Sequence, residues 1–191
     1  MKIGIFGGTF NPVHVGHIHI AKETTKKLGL DKLIFIPAYI PPHKKVENPI
    51  ATRDRLKMLR LAVKANKKFK ISLYELQKKG TSYSITTVKV LKKRFGRDVK
   101  LFFLIGRDSL AGLKKWKNIA ALRKIVQFIV VPRGGSLGNA SHRGVVSLQI
   151  SKKHISSTKI RRQRQLNKPI KGMVTKEVEL YIKRKNLYRN A

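Results

Sequence analysis

Short apolar runs rich in β-branched residues alternate along the chain with stretches of helical spacing. A run of four to eight such residues that ends at glycine or proline is typical of a buried strand. Strands that alternate with helices are typical of a parallel sheet covered by helices on both faces. The sequence therefore predicts an α/β fold, a doubly wound parallel sheet with helices on both faces. The predicted strands cover residues 2–6, 32–36, 69–73, 100–105, 126–131 and 145–150, and the predicted helices cover 14–28, 52–65, 85–94, 118–123, 156–166 and 175–185.

The length of 191 residues is that of one domain, so we expect residues 1–191 to form a single domain. Ligands of open parallel sheets bind beyond the carboxyl ends of the strands. That rule gathers three segments, 7–17, 106–108 and 155–161, around one crevice. We expect this crevice to be the ligand site.

The charge balance points to anionic partners. Lysine and arginine number 44 and aspartate and glutamate 9, so the formal net charge is +35. The cations are spread along the chain in pairs such as Lys26-Lys27 and Lys92-Lys93, whereas a dedicated nucleic-acid binder more often carries a stripe interleaved with aromatic residues. Composition alone does not choose among ATP, RNA and lipid.

The sequence lacks two features, a long apolar run and cysteine, and their absence limits the expected location and chemistry of the protein. No apolar run approaches the roughly 20 residues that a membrane helix needs, so no membrane partner is expected. The sequence has no cysteine, which excludes disulfides, thiolate metal sites and cysteine nucleophiles. We therefore expect a cytoplasmic protein.

The segment 7–17 follows the first predicted strand and opens the first predicted helix, and it contains Gly7, Gly8, His14 and His17. Glycines let the backbone approach a phosphate chain without a Cβ in the way. The two histidines are three residues apart and therefore share one face of the helix start. A helix N-terminus adds N–H donors and a partial positive charge. The segment is interpreted as a polyphosphate site with imidazole donors.

The segment has two other interpretations. The histidines could be ordinary capping or core residues of a strand–turn–helix connection. Metal binding is a further alternative, because His19 lies close to His14 and His17 in sequence. The spacing puts His19 on another face and the nearest acid is Glu23, so a zinc site is disfavoured and no metal-ligating residue is assigned.

A second anion-binding pattern lies at residues 155–161. Ser156 or Ser157 is a natural N-cap for the helix that follows, and Arg161 stands one turn further on. Free N–H groups, hydroxyls and a guanidinium would converge there on an anion. A simple capped helix in a basic protein is the alternative.

Residues 8–17 match the pattern G-x-F-x-P-x-H-x-G-H at every fixed position, and residues 155–161 match I-S-S-T-x-x-R. Together they resemble the two signatures of the nucleotidylyltransferase superfamily. Segments across nearly the whole chain resemble one subfamily, the bacterial nicotinate-nucleotide adenylyltransferases. They are 36–44, 75–84, 103–110, 115–116 and 181–188. The resemblance implies a Rossmann-like doubly wound sheet.

The resemblance also implies roles for individual residues. His14, His17 and Arg161 would be catalytic, and Asp108 would lie near a ribose hydroxyl while Trp116 stacks on a pyridine ring. Two positions depart from the family, Ser84 where threonine is usual and Lys117 where tyrosine often follows the tryptophan. The residues implied to bind ATP are Gly7, Gly8, Thr9, Phe10, Gly106, Ser156, Ser157 and Thr158, and those implied to bind nicotinate mononucleotide are His43, Lys44, Tyr83, Ser84, Asp108 and Trp116.

The implied reaction joins ATP and nicotinate mononucleotide to give nicotinate adenine dinucleotide and pyrophosphate, in NAD biosynthesis. Mg²⁺ would arrive with ATP, held by phosphates and water. The alternative enzyme is a related adenylyltransferase acting on nicotinamide mononucleotide or phosphopantetheine. The alternative from another class is a polyanion-binding protein, although nucleic acid is expected to bind only non-specifically. The sequence gives no indication of the oligomeric state.

Overall fold

The structure, a computed structural model, describes residues 1–42, 50–131, 144–151 and 153–189. The strands are β1 (Lys2–Gly8), β2 (Lys32–Pro37), β3 (Phe69–Ile71), β4 (Lys100–Gly106), β5 (Val126–Val131) and β6 (Val145–Ser147). The α-helices are α1 (Val15–Lys27), α2 (Thr52–Val63), α3 (Tyr74–Lys78), α4 (Ser84–Phe95), α5 (Arg107–Ala111), α6 (Ile119–Ile125), α7 (Ser157–Gln165) and α8 (Lys176–Arg184), and a 3-10 turn covers Leu113–Lys115.

The strands form one parallel sheet in the order β3-β2-β1-β4-β5-β6. This is the strand order of the doubly wound fold, in which strands are added to one side of β1 as far as β3 and then, from β4 onward, to its other side. Phe6 pairs with Leu104, so Gly8 and Gly106 each lie two residues beyond that pair on adjacent strands. The predicted parallel sheet is confirmed, and its carboxyl edge brings the ends of β1 and β4 together.

Alternate residues of each central strand enter two separate hydrophobic cores. On β2, Leu33 and Phe35 face one side, and Ile34 and Ile36 face the other. The first core also contains residues of α1, α2, α7 and α8, and the second contains residues of α4, α5 and α6. Helices therefore cover both faces of the sheet, as predicted.

Predicted and observed elements differ mainly at the edges of the sheet. The predicted strands 69–73 and 145–150 shorten to β3 and β6, because each pairs with only one neighbour, over three residues. The short helices α3 and α5 were missed, since five residues are too few for a helical period to show. No helix within the described residues is long and apolar enough to cross a membrane.

Candidate functional site

The loop from β1 to α1 places two imidazoles side by side at the start of the helix. His14 is the N-cap of α1 and His17 its third residue, and their rings stack with centroids 3.7 Å apart. The backbone N–H of His14 donates to His17 Nδ1 at 3.2 Å, and that of His17 donates to His14 Nδ1 at 3.3 Å. The two histidines therefore cap the helix reciprocally, with side chains of a type that rarely serves as a cap.

This reciprocal cap fixes the chemistry of both rings. An imidazole nitrogen that accepts a hydrogen bond carries no proton, so the neutral ring of His14 or His17 carries its proton on Nε2. Each Nε2 lies across the ring from the helix backbone and is a hydrogen-bond donor. A pair of N–H donors at a helix N-terminus suits phosphate oxygens.

Gly16 makes room for this arrangement. A Cβ at that position would lie 3.0 Å from His14 Nδ1 and 3.1 Å from His14 Cε1. Those separations are shorter than ordinary van der Waals contact, so a side chain here would displace the His14 ring. The glycine between the histidines is thus required by close approach, in addition to any contact with a ligand.

The second motif braces the first. Ser156 is the N-cap of α7, where its hydroxyl accepts from the backbone N–H of Lys159 at 3.1 Å. The Ser157 hydroxyl donates to the Pro12 carbonyl at 2.8 Å, and Arg161 Nη1 donates to the Asn11 carbonyl at 3.0 Å. The structure therefore brings the segments 7–17 and 155–161 together, as the sequence predicted.

Arg161 and Thr158 of α7 form a hydrogen bond with each other. Arg161 is only 8% exposed, and its Nη2 donates to Thr158 Oγ1 at 3.3 Å. The observed contacts of Arg161 and Ser157 hold the loop's backbone. Contact of these side chains with ATP phosphates remains a prediction.

Phe10 supports the loop from below. Its side chain is 1% exposed and packs edge-on against Phe6, Phe35 and His17. The ring belongs to the hydrophobic core, so a contact of Phe10 with ATP would be made by its backbone, and that contact stays a prediction. Gly7, Gly8 and Thr9 remain at least partly exposed at the end of β1.

Two residues missed by the sequence analysis hold the same loop. Arg55, on α2 and 6% exposed, donates from Nη1 to the Thr9 carbonyl at 2.7 Å. Burial lowers the pKa of Arg55, with the nearby Tyr188 acting in the opposite sense. The Tyr188 hydroxyl donates to Asn11 Oδ1 at 2.8 Å, and burial raises the pKa of this tyrosine, so it stays protonated as a donor.

The position of Arg55 in the sequence of α2 could have predicted that this side chain is buried. It lies three and four residues before the buried Met58 and Leu59, so it occupies the apolar stripe of α2. A cation on the buried face of a helix is expensive unless it has partners, and its presence indicates a bonded group in the interior. Beside it, Asp54 accepts from the Tyr181 hydroxyl at 2.7 Å, which joins α2 to α8.

The opposite wall of the crevice contains Gly106, which ends β4, and Asp108, exposed on α5. Trp116 follows the 3-10 turn and packs edge-on against Phe103 at 5.7 Å and Phe128 at 6.1 Å, with part of its ring exposed. Trp116 is thus anchored against the second hydrophobic core while part of the residue stays exposed, and its stacking on a pyridine ring stays a prediction.

Tyr83 is the N-cap of α4 and Ser84 its first residue. Lys117 Nζ lies 4.5 Å from the centre of the Tyr83 ring, so the residue after Trp116 contacts the start of α4. The predicted ligands His43 and Lys44 lie outside the described residues, and so does the predicted loop 132–143.

His19 does not join the stacked pair of His14 and His17. Its Nε2 hydrogen-bonds to the carbonyl oxygen and the hydroxyl of Ser151, at 2.9 Å and 2.8 Å. Among the residues that the structure describes, no group of three or more His, Asp or Glu side chains could hold a metal ion.

A doubly wound parallel sheet with a glycine turn and two N–H-donating imidazoles at its point of reversal defines a nucleotide-binding α/β protein of the nucleotidyltransferase class. In agreement, the family model described as Cytidylyltransferase-like matches residues 5–163. The nicotinate-nucleotide adenylyltransferase of Bacillus subtilis (strain 168) is 38% identical over 189 residues, which are 99% of each chain. The chain belongs to the nicotinate-nucleotide adenylyltransferase family.

Solved structures share the fold. Nicotinic acid mononucleotide adenylyltransferase of Plasmodium falciparum complexed with NaAD has a TM-score of 0.79 at 20% identity, over 98% of this chain and 97% of that chain. The same enzyme complexed with APC has a TM-score of 0.76 at 20% identity, over 98% and 96% of the two chains.

Proposed function

We propose that this chain transfers the adenylyl group of ATP to nicotinate mononucleotide, giving nicotinate adenine dinucleotide and pyrophosphate. Membership of the family supports the reaction, and the names of the relatives supply its acceptor. The observation that carries the proposal is the pair of stacked imidazoles at the start of α1, His14 and His17, on a loop that the second motif braces.

In the proposed reaction a phosphate oxygen of the mononucleotide forms a bond to the α-phosphorus of ATP. The bond from that phosphorus to the bridging oxygen breaks, and pyrophosphate leaves with the electron pair. A phosphate is already ionised at neutral pH, so the step needs no general base and no covalent enzyme intermediate. The protein's task is to hold two anions in line and to stabilise the charge that builds up on the leaving group.

The described residues suit that task. His14 and His17 would donate from Nε2 to phosphate oxygens at the positive end of the α1 helix dipole. Arg161 would act on the same anion from α7 if ATP draws it away from the Asn11 carbonyl. We assign His17 and Arg161 chiefly to the transition state, where the leaving group carries the greater charge.

A magnesium ion that arrives with ATP would be held by phosphates and water. The imidazoles at the start of α1 offer N–H donors, which match phosphate oxygens, whereas magnesium takes oxygen ligands. The ion would supply partial neutralisation of the triphosphate.

The mononucleotide would bind on the side of Trp116 and the start of α4. Trp116 would stack on the pyridine ring, and Asp108 would accept from a ribose hydroxyl. The start of α4, at Tyr83 and Ser84, would meet the nicotinate carboxylate with the partial positive charge of the helix N-terminus. His43 and Lys44 would meet the mononucleotide phosphate. The high positive charge would hasten the capture of both anions, while any binding of nucleic acid would be non-specific.

The test is an assay of pyrophosphate release with ATP and, in parallel, nicotinate mononucleotide, nicotinamide mononucleotide and phosphopantetheine. The proposal predicts the highest kcat/KM for nicotinate mononucleotide. A higher kcat/KM for either other acceptor would overturn the assignment of substrate. Absence of ATP-dependent product with all three would overturn the reaction.

A further inference from the structure

The carboxylate of Glu75 is buried, lies outside the loop from β1 to α1, and has no part in the reaction proposed above. Glu75, on α3, is 9% exposed, and its Oε1 accepts from the Thr87 hydroxyl at 2.7 Å. The Ser82 hydroxyl lies close enough to this carboxylate to lower its pKa, as does the charge of Lys78. Within the described part of the chain the Thr87 hydroxyl is the hydrogen-bond donor to Glu75, and no lysine or arginine forms an ion pair with it.

Hydrogen bonds of Ser82 hold the neighbouring backbone beside the carboxyl end of β2. Ser82 Oγ accepts from the backbone N–H of Tyr39 at 2.9 Å, and the Ser82 N–H donates to the Ile40 carbonyl at 2.8 Å. Thr87 lies on α4, one turn after its start. The carboxylate thus connects α3 to the first turn of α4, and Ser82, beside it, connects the segment that follows β2 to the start of α4.

The segment that Glu75 holds leads directly into the start of α4. Tyr83 is the N-cap of that helix, and its side chain makes no capping hydrogen bond. The first N–H groups of a helix have no intrahelical partner and carry a partial positive charge, which suits a carboxylate. Lys117 packs over the Tyr83 ring from the segment of Trp116, so the two sides of the proposed pyridine site are in contact.

The chemistry of Glu75 makes a purely structural role a poor explanation. The Thr87 hydroxyl donates to the carboxylate, and beside it Ser82 Oγ accepts from the Tyr39 N–H. A glutamine would fill the same space without a charge, but its NH₂ group would compete with the hydroxyl donor. Burial raises the pKa of Glu75, while the hydroxyls of Thr87 and Ser82 and the charge of Lys78 lower it. A carboxyl group that is buried and perturbed in this way next to a proposed substrate site is a candidate functional group.

We propose that Glu75 is a positioning residue for the pyridine carboxylate: through its hydrogen bond with Thr87 it fixes the start of α4, and so sets the preference for a nicotinate over a nicotinamide ring. This inference rests on the proposed function. It adds to that function a residue that does not touch the substrate and that acts on one substrate only, because ATP binds at the other side of the crevice.

The experiment compares Glu75→Gln with Thr87→Val, which removes the hydroxyl but leaves the carboxylate. Glu177→Gln, an exposed acid on α8, is the matched control. For each variant the KM of ATP, the KM of nicotinate mononucleotide, the kcat/KM ratio of the two pyridine mononucleotides and the thermal midpoint are measured. Binding of nicotinate mononucleotide is followed separately by quenching of the fluorescence of Trp116, the single tryptophan.

We expect the KM and the dissociation constant for nicotinate mononucleotide to rise about tenfold in both variants, equivalent to about 1.4 kcal/mol. The kcat/KM ratio should move toward the nicotinamide substrate, with the KM of ATP within about twofold of the parent. The thermal midpoint of Glu75→Gln should not fall, which separates positioning from loss of fold. The control should behave as the parent.

An unchanged ratio of the two mononucleotides would overturn the role of Glu75, and so would a loss of activity shared equally by both substrates and by ATP. In either case the parent would still use nicotinate mononucleotide, so the proposed function would stand. A parent that neither binds nor adenylylates nicotinate mononucleotide would overturn both proposals together.

Discussion

Replacing Gly16 by alanine should damage catalysis while leaving the fold intact. The new Cβ would lie 3.0 Å from His14 Nδ1, whereas ordinary contact begins near 3.4 Å, so the ring has to move by about 0.4 Å. The hydrogen bond from the His17 N–H to His14 Nδ1 is already 3.3 Å long and would be lost or weakened. A misplacement of about 1 Å can cost a factor of about 100 in rate, so a shift of this size should lower kcat/KM about tenfold.

Stability should change little in the same variant. Alanine favours a helix over glycine by about 1 kcal/mol at most, and a lost hydrogen bond costs about 1 kcal/mol. The two effects oppose each other, so the thermal midpoint should stay within about 4 °C. Calorimetry and steady-state kinetics on the same preparation measure both quantities.

The matched control is Gly112→Ala, since a Cβ at Gly112 would meet no atom within 4 Å and its φ of −91° suits any residue. That variant should keep its kcat/KM. If Gly16→Ala also kept kcat/KM within twofold of the parent, the position of the His14 ring would not matter to the reaction, and the reasoning would be wrong.

Four further outcomes are expected. His17→Ala should lower kcat by about 10²–10³ with a modest change in KM, because it removes a donor to the transition state, and a near-normal kcat would refute that role. Tyr188→Phe should lower the unfolding free energy by about 1 kcal/mol and Tm by about 2–4 °C through loss of the donor to Asn11, which calorimetry would contradict if Tm were unchanged. Burial raises the pKa of Glu75, so the stability that its protonated side chain contributes is complete below the usual pKa of 4.5 and is lost as the pH rises through the pKa of the folded state. The urea midpoints of the parent and of Glu75→Gln should therefore diverge between pH 4 and 8. Parallel curves would contradict this. Binding to random RNA should weaken steeply with salt and show no sequence preference, and a salt-independent or sequence-selective affinity would contradict non-specific binding.

Most of the architecture could be predicted from the sequence, because a continuous apolar run predicts a strand that is buried on both faces of the sheet, and the central strands are such runs. The order of strands was not predicted, since pairing of β1 with β4 joins residues nearly 100 positions apart, such as Lys2 and Lys100. Edge strands were overestimated because the apolar pattern of β3 and β6 continues past the point where the single neighbouring strand stops pairing.

At the site, the sequence identified the loops that would contact a ligand but missed the residues that hold those loops. Arg55 and Glu75 are charged side chains in the interior, and periodicity places such residues on the surface by default. Their partners, the Thr9 carbonyl and the Thr87 hydroxyl, carry no signal in the sequence. The meeting of Ser157 with Pro12 was predicted only because both segments follow strands whose carboxyl ends share one edge.

The hydrogen bonds that hold the loop from β1 to α1 join residues far apart in sequence. They span 46 residues from Thr9 to Arg55, 150 from Asn11 to Arg161 and 177 from Asn11 to Tyr188. During synthesis on the ribosome, β1, β2 and β4 can meet well before α7 and Tyr188 leave the exit tunnel. This loop is therefore held by all three contacts only after the scaffold that carries it has formed. If ATP binds the loop as proposed, protection by ATP against proteolysis should appear only in chains that extend through Tyr188.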